Sequence, residues 1–507
     1  MRIKLHLDKG RLFRWHLALA GALSGNGHQI AVQYGHESAP LPASLTAILD
    51  FDRARGKAGP DRLSTRLSAS AFAPYEDFND HASLTIDLAT SDKTAPFNGR
   101  VLRPEYDGSP KDTALFHALL ARRAPHLIVR DVPRGGLWQI GLPAIELPTR
   151  LAPSLDQTVS RLVEGLVRIV TEIANGHDAP TTALAGTQDG TQDRTQDGRA
   201  PTILQSAGVF AAQRATRKVR NIGNKITGNA PRWHVAWRAT ESNTPEVGLR
   251  DASAFQILGD CGQRYFADPF IFVHGGGCHV FVEEVPSRTG VGIISHLTIS
   301  EHGHASAPRP VLDTGQHLSY PQVFAHDGQI WMLPESVAAG GLDLYRAEAF
   351  PDRWVKHARL IGGRVHDATF FEHGGLLWIA AGSEAFQSSS WDALSLFYAE
   401  QLTGPWRPHP RNPVIVDSRC SRPAGPLWSK NGQLYRPAQD CSNGYGGKIS
   451  VRCVAKLSPD AFSEEEAGGI SFRDTGRHLG PHTIHCAGGI EVVDLYARPR
   501  ALTGPVR

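Results

Sequence analysis

Carboxylates recur at one place in the second half of this chain. Asp268 stands eight residues before Gly276 and Asp367 eight before Gly375, while the same offset from Gly328 falls on Tyr320. Glu335 sits in a Leu-Pro-Glu-Ser run at 333–336. Two carboxylates about 5–5.5 Å apart, or about 6.5–9.5 Å apart with a water between them, are what acid–base cleavage of a glycosidic bond requires. Asp268, Glu335 and Asp367 are therefore the candidate catalytic set, with Glu284 and Asp440 behind them. Arg422, Arg436, Gln439 and His482 could hydrogen-bond hydroxyls, or hold a phosphate or carboxylate. Tyr320, Tyr435, Trp331 and Trp378 could offer flat ring faces. The candidate substrate-binding set is Tyr320, Arg422, Arg436, Gln439, Asp440 and His482, and no metal ligand set stands out. Each has a structural reading beside it. Asp before Pro caps turns, Glu335 could pair with an Arg of a neighbouring element, and rings in second strands pack cores. Cys441 and Tyr445 read as structural.

These residues sit on a repeat. Five times an apolar run meets a Gly-centred turn and a second apolar run follows: ADPFIFVHGGGCHVFVEE, SYPQVFAHDGQIWMLPES, HDATFFEHGGLLWIAAGS, RPAGPLWSKNGQLYRPAQD and PHTIHCAGGIEVVDLYA. The turn glycines read as Gly277, Gly328, Gly375, Gly432 and Gly488, spaced 51, 47, 57 and 56 residues apart. A period near fifty with one hairpin per unit predicts a five-bladed β-propeller. That architecture brings the starts of the innermost strands to one funnel. RWHVAWR at 232–238 reads as a strand that could complete the last blade.

At 507 residues the chain is too long for one ordinary domain. A formal charge of +3 gives no reason to expect nucleic acid as a partner. Charges at Arg2, Lys4, Asp8, Lys9, Arg11 and Arg14 argue against a secretory signal, and no run of eighteen apolar residues predicts a membrane span. The expected compartment is the cytoplasm. The six cysteines, Cys261, Cys278, Cys420, Cys441, Cys453 and Cys486, form no CxxC pair, so buried thiols are expected rather than disulfides or zinc.

The first 180 residues read as an α/β domain. Strands are expected at Met1–Leu7, His28–Val32, Ser83–Ala89 and His126–Val132, with a helix through Leu12, Trp15, Leu19 and Leu23. The alternation argues for a parallel sheet. A long helix carries Leu155, Val159, Leu162, Leu166, Val170 and Ile173 on one face, with Ser154 and Gln157 as a capping box and Asn175-Gly176 as its stop. Residues 181–229 read as a linker with a basic helix. Thr-Gln-Asp recurs at 187, 191 and 195, with no apolar residue to bury. The basic stretch Gln213–Lys225 suits a solvated helix face, or contact with an anionic surface. The propeller is expected over 230–500.

The FADPF opening resembles the start of the propeller in glycoside hydrolase families 43 and 32, where the resemblance implies that the Asp, here Asp268, acts as general base or nucleophile. Together with LPES at 333–336 and YRPAQDCSNGYG at 435–446, residues 230–496 more closely resemble the propeller domain of plant glucosamine inositolphosphorylceramide transferases and their bacterial relatives. The plant enzymes carry a separate glycosyltransferase domain, and nothing here looks like one. Where family 43 glycosidases have a second Asp and a Glu, this chain has Tyr320 and Asp367. The N-terminal part resembles the nucleotide-fold domain of formyltransferases through its MRI…LD opening and RxxRWHLxLAxAL helix. The Asn-His-Asp set and Ser-Leu-Leu-Pro motif of those enzymes are missing, so formyl transfer is not expected. No GxGxxG or GxxxxGK[ST] occurs, and no cofactor is expected.

The expectation is a carbohydrate-handling protein in envelope polysaccharide or glycoconjugate metabolism. Two readings stay open. One is an enzyme, hydrolase-like or glycosyl-transferring, acting on a glycan or glycolipid head group with Asp268 as base or nucleophile and Glu335 or Asp367 as acid. The other is a non-catalytic glycan-binding or scaffold module partnering a glycosyltransferase. In limited proteolysis of the whole chain, the first cut should fall within Gly186–Gly198; a first cut inside the repeat half would contradict the linker reading.

Overall fold

The computed structural model describes every residue except 36–39, 56–60, 76–81, 90–98, 179–201, 227–231, 260–261, 474–479 and 498–507. The Thr-Gln-Asp run lies outside the described residues. Two compact units result: Met1–Val219 with Ala385–Ser389, and Arg220–Glu384 with Ser390–Arg507.

The first unit is an α/β layer structure. Its sheet contains β1 (Arg2–Leu7), β2 (Gln29–Tyr34), β3 (Leu84–Asp87), β4 (Arg100–Tyr106), β5 (Leu127–Asp131) and β6 (Leu137–Gly141), in the order β2-β1-β3-β4-β5-β6. The first four strands of that order run parallel. β5 and β6 add antiparallel to one edge, so the expected parallel sheet is a mixed one. Helices α1 (Arg14–Gly25), α2 (Ala43–Ala54), α3 (Asp112–Leu120) and α4 (Leu151–Ala174) bury Leu19, Leu45, Phe116, Leu155, Val159, Leu162 and Leu166 in one core. α4 starts at Leu151, three residues before the expected cap. Ser154 instead donates its hydroxyl to the Arg150 carbonyl at 2.7 Å, while Gln157 Oε1 accepts from Glu146 N at 3.1 Å. Asn175 and Gly176, the latter at φ 84°, stop the helix as expected. The helix α5 (Ile203–Ile226), expected as part of the linker, sends Ala207 and Phe210 into this same core.

The second unit is a five-bladed β-propeller. The innermost hairpins are Arg264–His274 with Gly277–Pro286, Ser319–His326 with Gln329–Glu335, Val365–His373 with Leu376–Ser383, Trp428–Lys430 with Gln433–Asp440, and Ile484–Ala487 with Ile490–Ala497. The repeat has a backbone cause. Each hairpin turns through two residues of positive φ: Gly275-Gly276, Asp327-Gly328, Gly374-Gly375, Asn431-Gly432 and Gly488-Gly489. Two-residue turns of this kind match the twist of the flanking strands, and they select Gly, Asn or Asp. The first-blade turn is thus Gly275-Gly276, and Gly277 already belongs to the second strand.

The ring closes with chain from its own beginning. Arg232–Ala239 pairs antiparallel with Ile490–Ala497 as the third strand of the last blade, and Gln256–Ile257 adds the fourth. Cys278, Cys420, Cys441, Cys453 and Cys486 are free thiols, and Cys261 lies outside the described residues. No helix among the described residues is long and apolar enough to cross a membrane.

A fragment of residues 228–507 should fold cooperatively, because it holds a complete ring with its own core. A fragment starting at 245 lacks Arg232–Ala239 and leaves an open sheet edge in the last blade. It should aggregate or melt without a cooperative transition. Equal thermal transitions for the two fragments would contradict the closure.

Candidate functional site

The site begins with three kinks. In blades 1 to 3 the pairing of the first two strands skips between Ala267 and Phe270, between Ser319 and Gln322, and between His366 and Thr369. Asp268, Tyr320 and Asp367 take up the bulge with φ of 49°, 48° and 49°. Left-handed backbone at non-glycine residues costs about 1–3 kcal/mol each and persists only where the surroundings enforce it. Here hydrogen bonds from neighbouring blades enforce it.

The Asp268 carboxylate joins blades 5, 1 and 2. Its Oδ1 accepts from Thr483 Oγ1 at 2.9 Å and lies 3.0 Å from His482 Nε2, and its Oδ2 accepts from Tyr320 N at 3.2 Å. Glu335 of blade 2 accepts from Asp367 N of blade 3 at 2.9 Å. Asp367 in turn accepts from Arg422 Nε at 2.5 Å, from Arg422 Nη2 at 3.2 Å and from Gln439 Nε2 at 2.6 Å. Blade 5 docks on blade 4 through Ile484 N, which donates to the Ala424 carbonyl at 2.9 Å. Carboxylates thus bridge four of the five blade junctions around the axis, and a backbone bond makes the fifth.

His482 is the hub of its first segment. Its Nδ1 lies 2.6 Å from Asp494 Oδ2 and its Nε2 faces Asp268, so the imidazole sits between two carboxylates. Asp494 also accepts from His482 N, Thr483 N and Asp268 N at 2.9, 2.9 and 3.1 Å. Burial works against a charged imidazole, but Asp494 and Asp268 outweigh it and raise His482 to about 10. Burial also works against the Asp268 charge, yet His482 and Thr483 hold that carboxyl below its ordinary range. One ligand atom from each of Asp268, His482 and Asp494 lies within 4.8 Å of the others. A cation could span such a group, but both imidazole nitrogens already face carboxylate oxygens, so the three act as an ion triad.

The second segment is divided more sharply. Burial alone would raise Glu335, but His366, Arg422 and a hydrogen bond with the Asp367 side chain hold it at about 2. His366 lies between Glu335, at 3.5 Å, and Glu384, at 3.1 Å. Burial pushes Asp367 up to about 7 against the pull of Arg422, with the Glu335 charge adding to the rise. Beside this segment stand aromatic rings. Tyr445 stacks on Trp391 with centroids 5.4 Å apart, lies 5.1 Å from the Arg422 guanidinium and 5.0 Å from His482, and meets Trp233 edge-on at 6.0 Å. All three rings are partly exposed.

The structure brings Asp268, Glu335, Asp367, Arg422, Gln439 and His482 together. The others go elsewhere. Tyr320 is fully buried, with its hydroxyl accepting from Gly425 N at 2.6 Å and bonded to Thr369 Oγ1 at 2.9 Å, so it pins three blades and offers no ring face. Arg436 is buried against Glu464 and the Cys420 and Ser421 carbonyls. Asp440 turns to Ser442 and Lys448. Glu284 binds Arg264 and Ser295, and its neighbour Glu283 takes the inner face beside His317 at 3.2 Å. Trp331 and Trp378 pack in blade cores, and Tyr435 stacks on Trp428. Sequence reasoning passed over Glu283, His317, His366, Asp494, Trp233, Trp391 and the exposed role of Tyr445. His366 had a signal, being adjacent to Asp367 at a repeat start.

The fold and site define a five-bladed propeller with a buried ion-pair circuit beneath an aromatic wall. Within it, residues 253–477 match the family described as glucosamine inositolphosphorylceramide transferase 1, N-terminal. That span holds the whole site except Trp233, His482, Thr483 and Asp494. Among curated proteins the chain is similar to glucosamine inositolphosphorylceramide transferase 1 of Arabidopsis thaliana, 34% identical over 207 residues, covering 40% of this chain and 27% of that protein. It is 30% identical over 284 residues to the protein of the same name from Oryza sativa subsp. japonica, covering 53% and 37%. The chain therefore spans well under half the length of these relatives. Among solved structures, the family 117 glycoside hydrolase Zg3597 of Zobellia galactanivorans aligns at 12% identity and TM-score 0.33, covering 54% of this chain and 92% of that one. The GH62 α-L-arabinofuranosidase catalytic domain of Coprinopsis cinerea aligns at 11% identity and TM-score 0.35, covering 53% and 98%.

Replacing His482 by Gln leaves Asp268 and Asp494 buried without their shared cation. The fold should lose about 3–5 kcal/mol at pH 6, the cost of removing one partner from a buried ion pair. The folded imidazole titrates near 10 and the unfolded one near 6.5, so the histidine's contribution is complete below 6.5 and fades as pH rises toward 10. The stability gap between wild type and variant, followed by denaturant unfolding, should narrow steadily from pH 6 to pH 10. A gap independent of pH would contradict the charged hub.

Proposed function

We propose that the propeller binds a carbohydrate, a glycan or glycolipid head group, in the funnel between the ion-pair circuit and the aromatic wall, and that it does so as a recognition module. The observation that carries this reading is the double commitment of Asp268 and Asp367. Both are buried, and both are held by donors of neighbouring blades. A nucleophile or base must give up such bonds to react, at the cost of the blade contacts they make. Polar groups fixed beside a few partly exposed rings suit binding, in which orientation comes from a small number of placed donors and acceptors and contact area comes from aromatic faces. Glu335, His366 and Arg422 supply the polar edge, and Trp391, Tyr445 and Trp233 supply the faces. The likeness to transferases named for a glycosylated ceramide supports a glycan or glycolipid head group, and it supports a role beside a glycosyl-transferring partner.

The test is a glycan array followed by turnover assays on the hits. The full chain should retain particular glycans and release no product from them. Trp391→Ala should weaken binding by about 1–3 kcal/mol, in the range of a lost aromatic contact, with an unchanged melting temperature. Turnover of a retained glycan would overturn the recognition reading, and binding insensitive to Trp391 would move the site elsewhere.

A further inference from the structure

The helix α5 carries more apolar surface than its own unit uses. One side, with Ile203, Ala207 and Phe210, packs into the core of the first unit. Arg214 holds that side down by donating to the buried Asp52 at 2.6 Å. A second stripe runs along another side. Leu204, Gly208, Ala211 and Ala215 follow one another at the three- and four-residue steps of one helix face. All four are exposed, Leu204 by 70%, and Val209 beside them by 56%. The sequence keeps the same step at Val219, Ile222 and Ile226. The stripe positions therefore run the length of the helix, and none of them holds a charged residue.

The charges fall between those positions and have one sign. The helix holds Arg214, Arg217, Lys218, Arg220 and Lys225, and between Asp197 and Glu241 the chain has no acidic residue. Arg122, just past α3, adds to this cationic side by donating to Gln213. The acids of the neighbouring α2 do not offset it, because Asp52 pairs with Arg214 and Asp50 with Arg53.

An exposed apolar stripe is a site for something to cover. A second copy of this helix would bring like charges together. A nucleic acid would meet the cations and leave the stripe in water. The surface of an anionic bilayer meets both, with headgroups around the cations and the acyl boundary against the apolar side chains. No helix among the described residues is apolar enough to cross a membrane, and a helix lying in the interface does not need to be.

We infer that α5 is a surface for docking onto a membrane rich in anionic lipid, with its second apolar stripe at the acyl boundary and its cations among the headgroups. The contact reads the charge of the bilayer and no particular headgroup. It lies outside residues 253–477, the span matched to the family, and it stands or falls apart from the carbohydrate reading of the propeller.

The test is flotation of the full chain with two kinds of vesicle: phosphatidylcholine alone, and phosphatidylcholine mixed equally with phosphatidylglycerol. Binding to the anionic vesicles should be at least about tenfold tighter than to the neutral ones, and high salt should weaken it. Arg217→Glu with Lys218→Glu should cost at least about tenfold, by charge reversal. Leu204→Gln with Val209→Gln keeps the net charge and alters only exposed positions. That pair should leave the melting temperature unchanged and still weaken anionic binding by about fivefold or more, through the lost apolar contact. Equal binding to both vesicles, or to neither, would overturn the inference. Anionic binding indifferent to the Leu204 and Val209 pair would overturn it too, leaving only a cationic surface. A wild-type dimer that the same pair dissociates would assign the stripe to a second copy, and tighter retention of a DNA duplex than of the vesicles would assign the cations to nucleic acid; either result contradicts membrane docking.

Discussion

The propeller depends on a charge held where charge is expensive. His482 lies between Asp268 and Asp494 in the interior, and each carboxylate also receives backbone or hydroxyl donors from an adjoining blade. An isolated ion at this depth would neutralise itself, whereas two carboxylates around one imidazolium make the charged form the stable one. The same contacts fix the left-handed backbone at Asp268 and tie the last blade to the first. The strand Arg232–Ala239 closes that junction from the other side by completing the blade that carries Asp494.

Around the axis the circuit continues through Glu335, Asp367, Arg422 and Gln439. Most propeller blades meet through apolar packing, and these do so too, with Leu333, Ile379, Val451 and Ile484 in their cores. The ionic circuit adds polar contacts between the blades to that packing. It also produces the site. On the proposed reading, groups that must be fixed to hold the blades in register would for that reason already be fixed for a ligand, and preorganised polar groups bind without a further ordering cost.

How much of this was legible follows from what each residue had to do. The hairpins were readable because a two-residue turn of positive φ accepts few residues besides Gly, Asn and Asp, and it recurs at one place in every blade. Asp268, Tyr320 and Asp367 were found by their constant offset from those turns. The faces of the strands were not readable. A two-residue bulge shifts the inside–outside alternation, and so Glu284 was chosen where Glu283 takes the inner face. Arg436 and Asp440 lie on a strand whose partners come from further out in the blade, Lys448 from the next strand and Glu464 from the one beyond it, and only the register reveals them. In the N-terminal unit the periods of β1, β2, β3, β5, α1 and α4 were clear, whereas β4, β6, α2 and α3 were not read. The start of α4 was not, because Ser154 bonds backward into the helix rather than capping it, a use of serine that looks the same in sequence.

The ionisation state of His482 tests the account most directly. With the side chain labelled with ¹⁵N in the full protein, both ring nitrogens should carry protons from pH 6 to at least pH 9, with titration only near 10. A ring bearing a single proton at pH 7 would mean that the hub is neutral, that one of its carboxylates holds a proton instead, and that the circuit of charges is not what orders the site.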